Sequence, residues 1–380
     1  MEKIARMTLE GISAEIGISR TTIYKVLKNK GNVSERTRET VMEALEKYHY
    51  VQNRNARNLA LNRRYPVGYA GFRSRSANYF SPKVREGIER AIREFGDDGL
   101  EVFFAEYDVE RPGRQTDEVE RLLRQGVRSF VLAFADEAVI GELLHRLRKE
   151  GCRVVLLSRD WQEDGGDYYV GVDYYRSGLL AAELLGKILP GESLYAAELW
   201  DNGFTETRGS KELFAQKRKI FIPVTREYES NRDIHARLRG FLDKLKGFPA
   251  CEILPVRYGL VEEEQVYREV VSCVEREPNL AGIFDLTYRL DVTARALRDL
   301  GRTDIRLVGF DLFQEIEQDI ADCVIDAVVY QDLSSQAYLA VKLLFEEMCY
   351  GITHEKKKFY SKLEIITGEN LCYFGKSEWT

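Results

Sequence analysis

Residues 17–39 read GISRTTIYKVLKNKGNVSERTRE, and the fold of the N-terminal end turns on how this run is parsed. Just before and into it, Leu9, Ile12, Ile16 and Ile18 recur at helical spacing and form an apolar stripe. Gly17 falls after the helix end, where a left-handed turn is cheap. Ser19 stands where an N-cap belongs, with an oxygen that can accept from the amides of the next turn. Behind it Ile23, Val26 and Leu27 repeat at i, i+3 and i+4. The short gap between the two helices is the helix-turn-helix spacing, and it leaves the second helix free to enter a DNA major groove. Ser34 caps a third helix, whose Val41, Leu45 and Tyr48 face the other two.

The first turn of the second helix is where base edges are reached. Arg20 and Thr21 are therefore the candidate specificity residues: arginine forks onto guanine O6 and N7, and the threonine methyl suits the thymine methyl. Ser19 caps that turn. Thr22, Tyr24, Lys25, Lys28, Lys30 and Asn32 are placed for phosphates, which fix register without reading sequence. The plainer alternative is a three-helix cap with a solvated basic face.

A chain of 380 residues implies two or three domains, and 44% hydrophobic with 31% charged residues is a globular composition. The formal charge of -6 hides an asymmetry: residues 1–64 carry 13 Lys and Arg against 7 Asp and Glu, a balance of +6. That leaves -12 on the remainder, so a small basic head suited to a polyanion precedes a large acidic body. No apolar run approaches the length of a membrane span, and the first residues lack the apolar core of a secretory signal, so a cytoplasmic protein is expected. The six cysteines are scattered, which suggests reduced thiols. With only four separated histidines, neither a metal site nor a cofactor is expected.

From Tyr65 onward, apolar runs alternate with amphipathic helical patterns. PVGYAGF, LEVFFAEY, SFVLAF and RVVLLS form one series of strands with helices between them. SLYAAEL, KIFIPV, CEILPV, LAGIFDL and IRLVGFD form a second. Buried strands alternating with helices mean parallel sheets in a doubly wound α/β fold, and two series mean two lobes. CVIDAVVYQDLSSQAYLAVKLLFEEM adds a late strand and helix.

The head, in the run ISRTTIYKVLKNKGNVS followed by Asn53, Ala56 and Leu59, resembles that of the LacI/GalR family of bacterial transcription regulators. Tyr24, Lys25 and Lys28 depart from the family's usual Ser, Arg and Asn, and Lys25 cannot form the planar fork of an arginine. The resemblance implies a hinge at 53–64 that folds only on DNA. There Asn53, Ala56 and Arg57 join the DNA contacts, and Leu59, paired across a dimer, wedges into the minor groove and kinks the site. The body, through VGVDYYRSG, ETRG, GIFDL, VGFD and IDAVVYQD, resembles type I periplasmic sugar-binding proteins. The fold this implies is a helix-turn-helix head (1–52), the hinge, and a two-lobed body (65–380). Lobe 1 then comprises about 65–171 and 311–336, and lobe 2 about 172–310 and 337–375, with crossings near Val172, Asp311 and Gln331 to Gln336.

In such open sheets the ligand lies at the carboxyl ends of the strands. That nominates Asn78 and Phe80 after the first strand, and Arg159 and Trp161 after RVVLLS. Asp173 and Tyr174 stand at the first crossing, and Arg208 at a helix start. Thr287 follows GIFDL, Asp311 ends LVGFD, and Gln331 stands at the last crossing. Such polar groups with flat rings suit a sugar or a derivative of one. No Walker loop, GxSxG, HExxH or dinucleotide fingerprint is present. Asp160 with Asp173 or Asp311 could pair as glycosidase carboxylates, but carboxylates in sugar clefts more often accept hydroxyls. The expected function is a homodimeric repressor on a pseudo-palindromic operator, controlled by a sugar-like effector. The alternative is a sugar receptor without a DNA role.

Overall fold

The computed structural model describes residues 9–27, 33–48, 63–73, 79–108, 114–134, 137–161, 166–189, 217–226 and 231–374. The chain divides into a small unit, Met1–Arg63 with Asp97–Gly99, and a large one, Arg64–Gly96 with Leu100–Thr380.

In the small unit α1 (Leu9–Ile16), α2 (Arg20–Leu27) and α3 (Glu35–Lys47) close on one core. Ile12, Ile23 and Val41 are fully buried, and Val26, Ala44 and Leu45 nearly so, with Ile16, Ile18 and Tyr48 packed around them. Gly17 takes φ +64°, which turns the chain between α1 and α2. Ser13 Oγ donates to the Ile18 carbonyl across this turn at 2.8 Å. Ser19 Oγ accepts from the Thr22 amide at 3.2 Å, and Ser34 Oγ does the same for Thr37 at 3.2 Å, so both helices start on a serine cap.

The large unit begins with β1 (Tyr65–Arg73), α4 (Phe80–Phe95), β2 (Leu100–Asp108), α5 (Arg114–Arg124) and β3 (Ser129–Leu132). Next come α6 (Glu137–Lys149), β4 (Arg153–Ser158) and β5 (Tyr168–Gly171). A second set follows: α7 (Tyr174–Ile188), β6 (Arg218–Phe221), β7 (Pro223–Thr225), α8 (Arg232–Leu245), β8 (Cys251–Ile253) and β9 (Arg257–Leu260). It continues through α9 (Glu263–Arg276), β10 (Leu280–Phe284), α10 (Leu290–Asp299), β11 (Arg306–Phe310), α11 (Glu317–Ala321) and β12 (Ala327–Tyr330). The chain ends with α12 (Leu333–Tyr350), β13 (Lys358–Tyr360) and β14 (Glu364–Ile366).

Two six-stranded sheets result, in the orders β13-β5-β4-β3-β1-β2 and β14-β12-β11-β10-β6-β8. All pairs are parallel except β12 with β14. In the first sheet, alternate residues of β4 divide between two cores. Val155 and Leu157 join Val84 and Ile88 of α4 and Ala340 and Val341 of α12, whereas Val154 and Leu156 join Leu122 of α5 and Leu143 of α6. That two-sided burial is why these strands read as continuous apolar runs. The second sheet is covered on one face by α7 and α8 and on the other by α9 and α10.

The expected architecture of a helical head and two doubly wound lobes is present, but the partition of the chain differs. The chain passes between sheets after β5, after β12 and between β13 and β14, so passages lie at 172–173, 331–332 and 361–363. There is none at Asp311, because β11 pairs directly with β12 in one sheet. Residues 311–330 therefore stay in the second lobe, while α12 and β13 return to the first and β14 to the second. The passages are tied together: the Ser361 amide donates to the Gly171 carbonyl at 2.8 Å, and its hydroxyl to the Gln331 carbonyl at 3.0 Å. The expected strand SLYAAEL and the hinge residues 53–62 lie outside the described residues.

Candidate functional site

On the head, α2 turns Ile23 and Val26 inward and leaves Arg20, Thr21 and Lys25 exposed, with Thr22 half-buried. The reading face expected from the sequence is thus a solvent face of α2, held in place by the Ser19 cap. The side chain of Tyr24, and Lys28, Asn32, Asn53, Ala56, Arg57 and Leu59, lie outside the described residues.

In the body, the carboxyl ends of the two sheets face a common cleft. Four of the five non-glycine residues with positive φ among the described residues stand there: Ser158 ends β4, Tyr288 follows β10, Asp311 follows β11 and Asp332 follows β12, at φ +69°, +61°, +65° and +44°. Each such conformation costs on the order of 1–3 kcal/mol, and such strain gathers at binding sites.

Arg237 is the centre of the cleft. It sits on α8 at 4% exposure, with its guanidinium over the Phe310 ring at 4.0 Å and over Tyr174 at 4.8 Å. Burial works to lower its pKa, but Asp311 and the phenols of Tyr174, Tyr288 and Tyr79 outweigh this and hold it charged. Its Nε has no hydrogen-bond partner among the described residues, and neither does Gln331 Oε1. Asp311 accepts from Tyr79 Oη at 2.7 Å and from Gln331 Nε2 at 2.6 Å. Burial first, and then Asp311, push the Tyr79 phenol well above its ordinary value. Tyr79, Arg237, Asp285, Tyr288, Phe310 and Phe313 enclose a cavity of about 20 Å³, room for little more than one water.

At one flank the N-terminus of α8 grips the first lobe. Asn231 caps it by accepting from the Asp233 amide at 3.0 Å. Arg232 binds Glu137 at 3.0 Å and lies 5.3 Å from the Trp161 ring, and Asp233 faces Arg159 at 3.6 Å. Burial raises the Asp233 carboxyl to about 6 against the pull of Arg159 and Arg237.

Of the residues nominated from sequence, Asp311, Gln331 and Tyr174 are brought together, with Tyr174 Oη donating to the Ser158 carbonyl at 2.7 Å. Arg159 and Trp161 stand at the interlobe flank. Phe80 is not in the cleft: it stacks on Phe72 at 4.7 Å within the first lobe's core, because it faces inward from the first turn of α4. Its neighbour Tyr79 supplies the cleft's ring instead. Thr287 is buried in loop-building bonds, its amide and hydroxyl donating to Asp285 at 2.8 and 2.7 Å, and Tyr288 lines the cavity in its place. Asp173 caps α7 through the Arg176 amide at 3.0 Å. Asn78 and Arg208 lie outside the described residues. The carboxylates once paired as a glycosidase alternative have separate work: Asp160 binds Lys358, Asp173 caps and Asp311 holds Tyr79.

Arg237 escaped the sequence reading, yet it left a signal. Ile234, Arg237, Leu238 and Phe241 form the buried stripe of α8, so an arginine occupies an apolar position. Among the described residues there is no cluster of His, Cys, Asp and Glu that could hold a metal, and no helix long and apolar enough to cross a membrane.

Residues 72–351 match the family model for the periplasmic binding protein domain, and residues 8–53 match that of bacterial regulatory proteins of the lacI family. The HTH-type transcriptional regulator CelR of Thermobifida fusca is 41% identical over 63 residues, 17% of this chain and 18% of that protein. A D-apiose import binding protein of Paraburkholderia graminis is 21% identical over 259 residues, 68% of this chain and 74% of that protein. A sugar-binding protein of a Bacillus halodurans sugar ABC transporter superposes with a TM-score of 0.66 at 18% identity, over 82% of this chain and 99% of its own. That likeness is one of fold. The chain belongs to the periplasmic binding protein domain family through its body, and its head makes it a member of the lacI family of bacterial regulatory proteins.

Proposed function

We propose that this chain is a sequence-specific DNA-binding transcription regulator, a repressor, whose operator affinity is set by a small sugar-like effector in the interlobe cleft. One observation carries the reading: a single chain joins an exposed basic helix-turn-helix face to a cleft that buries Arg237 and Asp311 with open hydrogen-bonding atoms beside them. CelR is named as a transcriptional regulator, and the apiose-import relative for a sugar, which agrees with both halves.

On this reading Ser19 caps the reading helix, Arg20 and Thr21 meet base edges, and Thr22 and Lys25 meet phosphates. Two copies bind as a homodimer in the cytoplasm, so the operator is pseudo-palindromic. In the cleft, Arg237 donates to ligand oxygens, Asp311 and Gln331 accept from or donate to hydroxyls, and the rings of Phe310, Phe313 and Tyr288 meet C–H faces. A ligand that favours one arrangement of the lobes shifts the population of that arrangement, and with it the geometry offered to the heads. We assign no catalytic step: the described cleft carboxylates Asp285 and Asp311 are each committed to bonds that shape the site.

The test is a thermal-shift screen of pentoses, hexoses and polyols on the full chain. A compound that raises the melting temperature saturably, and that alters operator binding at the same concentration, supports the reading. Binding at the cleft with no effect on any DNA favours a sugar receptor instead.

A further inference from the structure

The cleft is closed, and what closes it is the protein itself. Tyr79 enters from the first lobe and reaches the second with both ends of its side chain. Its hydroxyl donates to Asp311 at 2.7 Å, and its ring stacks on Phe313 with centroids 5.2 Å apart and planes 9° from parallel. A hydroxyl on a cleft carboxylate and a flat face on a cleft ring are what a cyclic polyol would offer. The same two residues, Tyr79 and Phe313, line both the 20 Å³ cavity and a neighbouring open groove of about 510 Å³ that runs past Lys83, Tyr330 and Phe374. The stacked pair is therefore the wall between an open groove and a filled site. Behind that wall Arg237 Nε is buried with no hydrogen-bond partner among the described residues.

We propose that Tyr79 is a built-in occupant of the cleft, holding the place of a ligand, and that an effector enters from the groove only by displacing it. Swinging the ring away joins cavity and groove into a space within the roughly 300–1,000 Å³ of small-molecule sites. It also exposes Asp311 and Arg237 to the newcomer. Tyr79 thus sets the threshold for effector: a compound that cannot replace both the bond to Asp311 and the face on Phe313 does not pay back the displacement. The proposal rests on reading the cleft as the effector site.

The test uses p-cresol, the tyrosine side chain as a free molecule. In Tyr79→Ala the occupant is removed, and p-cresol is expected to raise the melting temperature saturably while leaving the wild-type chain unmoved. Toluene, which has no hydroxyl for Asp311, should bind the variant about tenfold more weakly than p-cresol. If the alanine variant does not fold, Tyr79→Leu keeps an apolar contact with Phe313 and takes its place in the same comparison. Equal shifts in wild type and variant, no shift in either, or equal affinities for p-cresol and toluene overturn the proposal. The readout involves no DNA, so failure of the regulator reading leaves it standing.

Discussion

Arg237 puts a permanent charge where the stripe of α8 calls for an apolar side chain, and it is tolerated because two rings stack on it and Asp311 lies nearby. Replacing it with alanine removes the cleft's central donor. The affinity for any sugar found by thermal shift should then fall about 10- to 100-fold, as isothermal titration would measure. Asp233 adds a pH dependence. Its carboxyl is lifted from 3.8 to about 6 by burial, opposed by Arg159 and Arg237 and aided by Glu137 and Asp160. A carboxyl raised in the native state contributes stability that is full below 3.8 and lost as pH rises through about 6. Stability measured from pH 4 to 7 should therefore show a loss that is smaller in Asp233→Asn, the remainder coming from other buried carboxyls such as Asp285 and Asp326 that are raised as well. At this scale Asp311 and Gln331 were legible in the sequence as polar residues that end buried strands, but so were Asp173 and Thr287, which cap a helix and build a loop instead. Phe80 and Thr287 each stand one position from a residue that lines the cavity, Tyr79 and Tyr288. Which of two neighbours faces a cleft depends on strand and helix phase at the end of an element, where the sequence pattern is weakest.

Elements pack here through close approaches that particular residues permit. On α7, a Cβ at Gly178 would stand 1.9 Å from the Arg237 carbonyl oxygen, and on α8 one at Gly240 would stand 2.1 Å from that of Tyr175. The two helices touch backbone to backbone, and the contact fixes the height at which Arg237 enters the cleft. Gly240→Ala should separate them, costing about 1–3 kcal/mol in denaturant unfolding and weakening effector binding with it. On the head, α2 is short and Arg20 stands on its exposed face, so under the proposed base readout Arg20→Ala should lower affinity for the selected operator about 10- to 100-fold and hardly affect random duplex. Equal losses on both in anisotropy titrations would remove Arg20 from base readout. Elements themselves were readable: serine caps, the glycine turn and the β4 run of RVVLLS all appear where the pattern placed them. The order of strands was not. IRLVGFD and IDAVVYQD look alike as runs ending in polar residues, and only the β11–β12 pairing reveals that the chain changes lobe after the second. Pairing is a long-range property that no local pattern carries.

Across the whole molecule, the body has two lobes joined by three passages among the described residues and held shut by two sets of contacts: Tyr79 on Asp311, and the α8 N-terminus on Glu137, Arg159 and Trp161. These are individually small interactions, so the balance between open and closed bodies is within reach of a ligand's binding energy. Arg232→Ala removes both the Glu137 pair and the Trp161 contact, and a larger radius of gyration in solution scattering is expected. Head and body in one chain lead to the proposed coupling, in which ligand in the cleft controls DNA binding by α2. The measurement that tests it most directly is fluorescence anisotropy of the full chain on a duplex enriched from a randomised pool, at several salt concentrations, with and without a sugar that raises the melting temperature. The expected result is a pseudo-palindromic duplex, a steep fall of affinity with salt, and a sugar-dependent change in operator affinity. The same factor should appear in sugar affinity when operator is present, since coupling is reciprocal. A sugar that binds the cleft while operator affinity stays the same, or a pool from which no duplex is enriched, would contradict it.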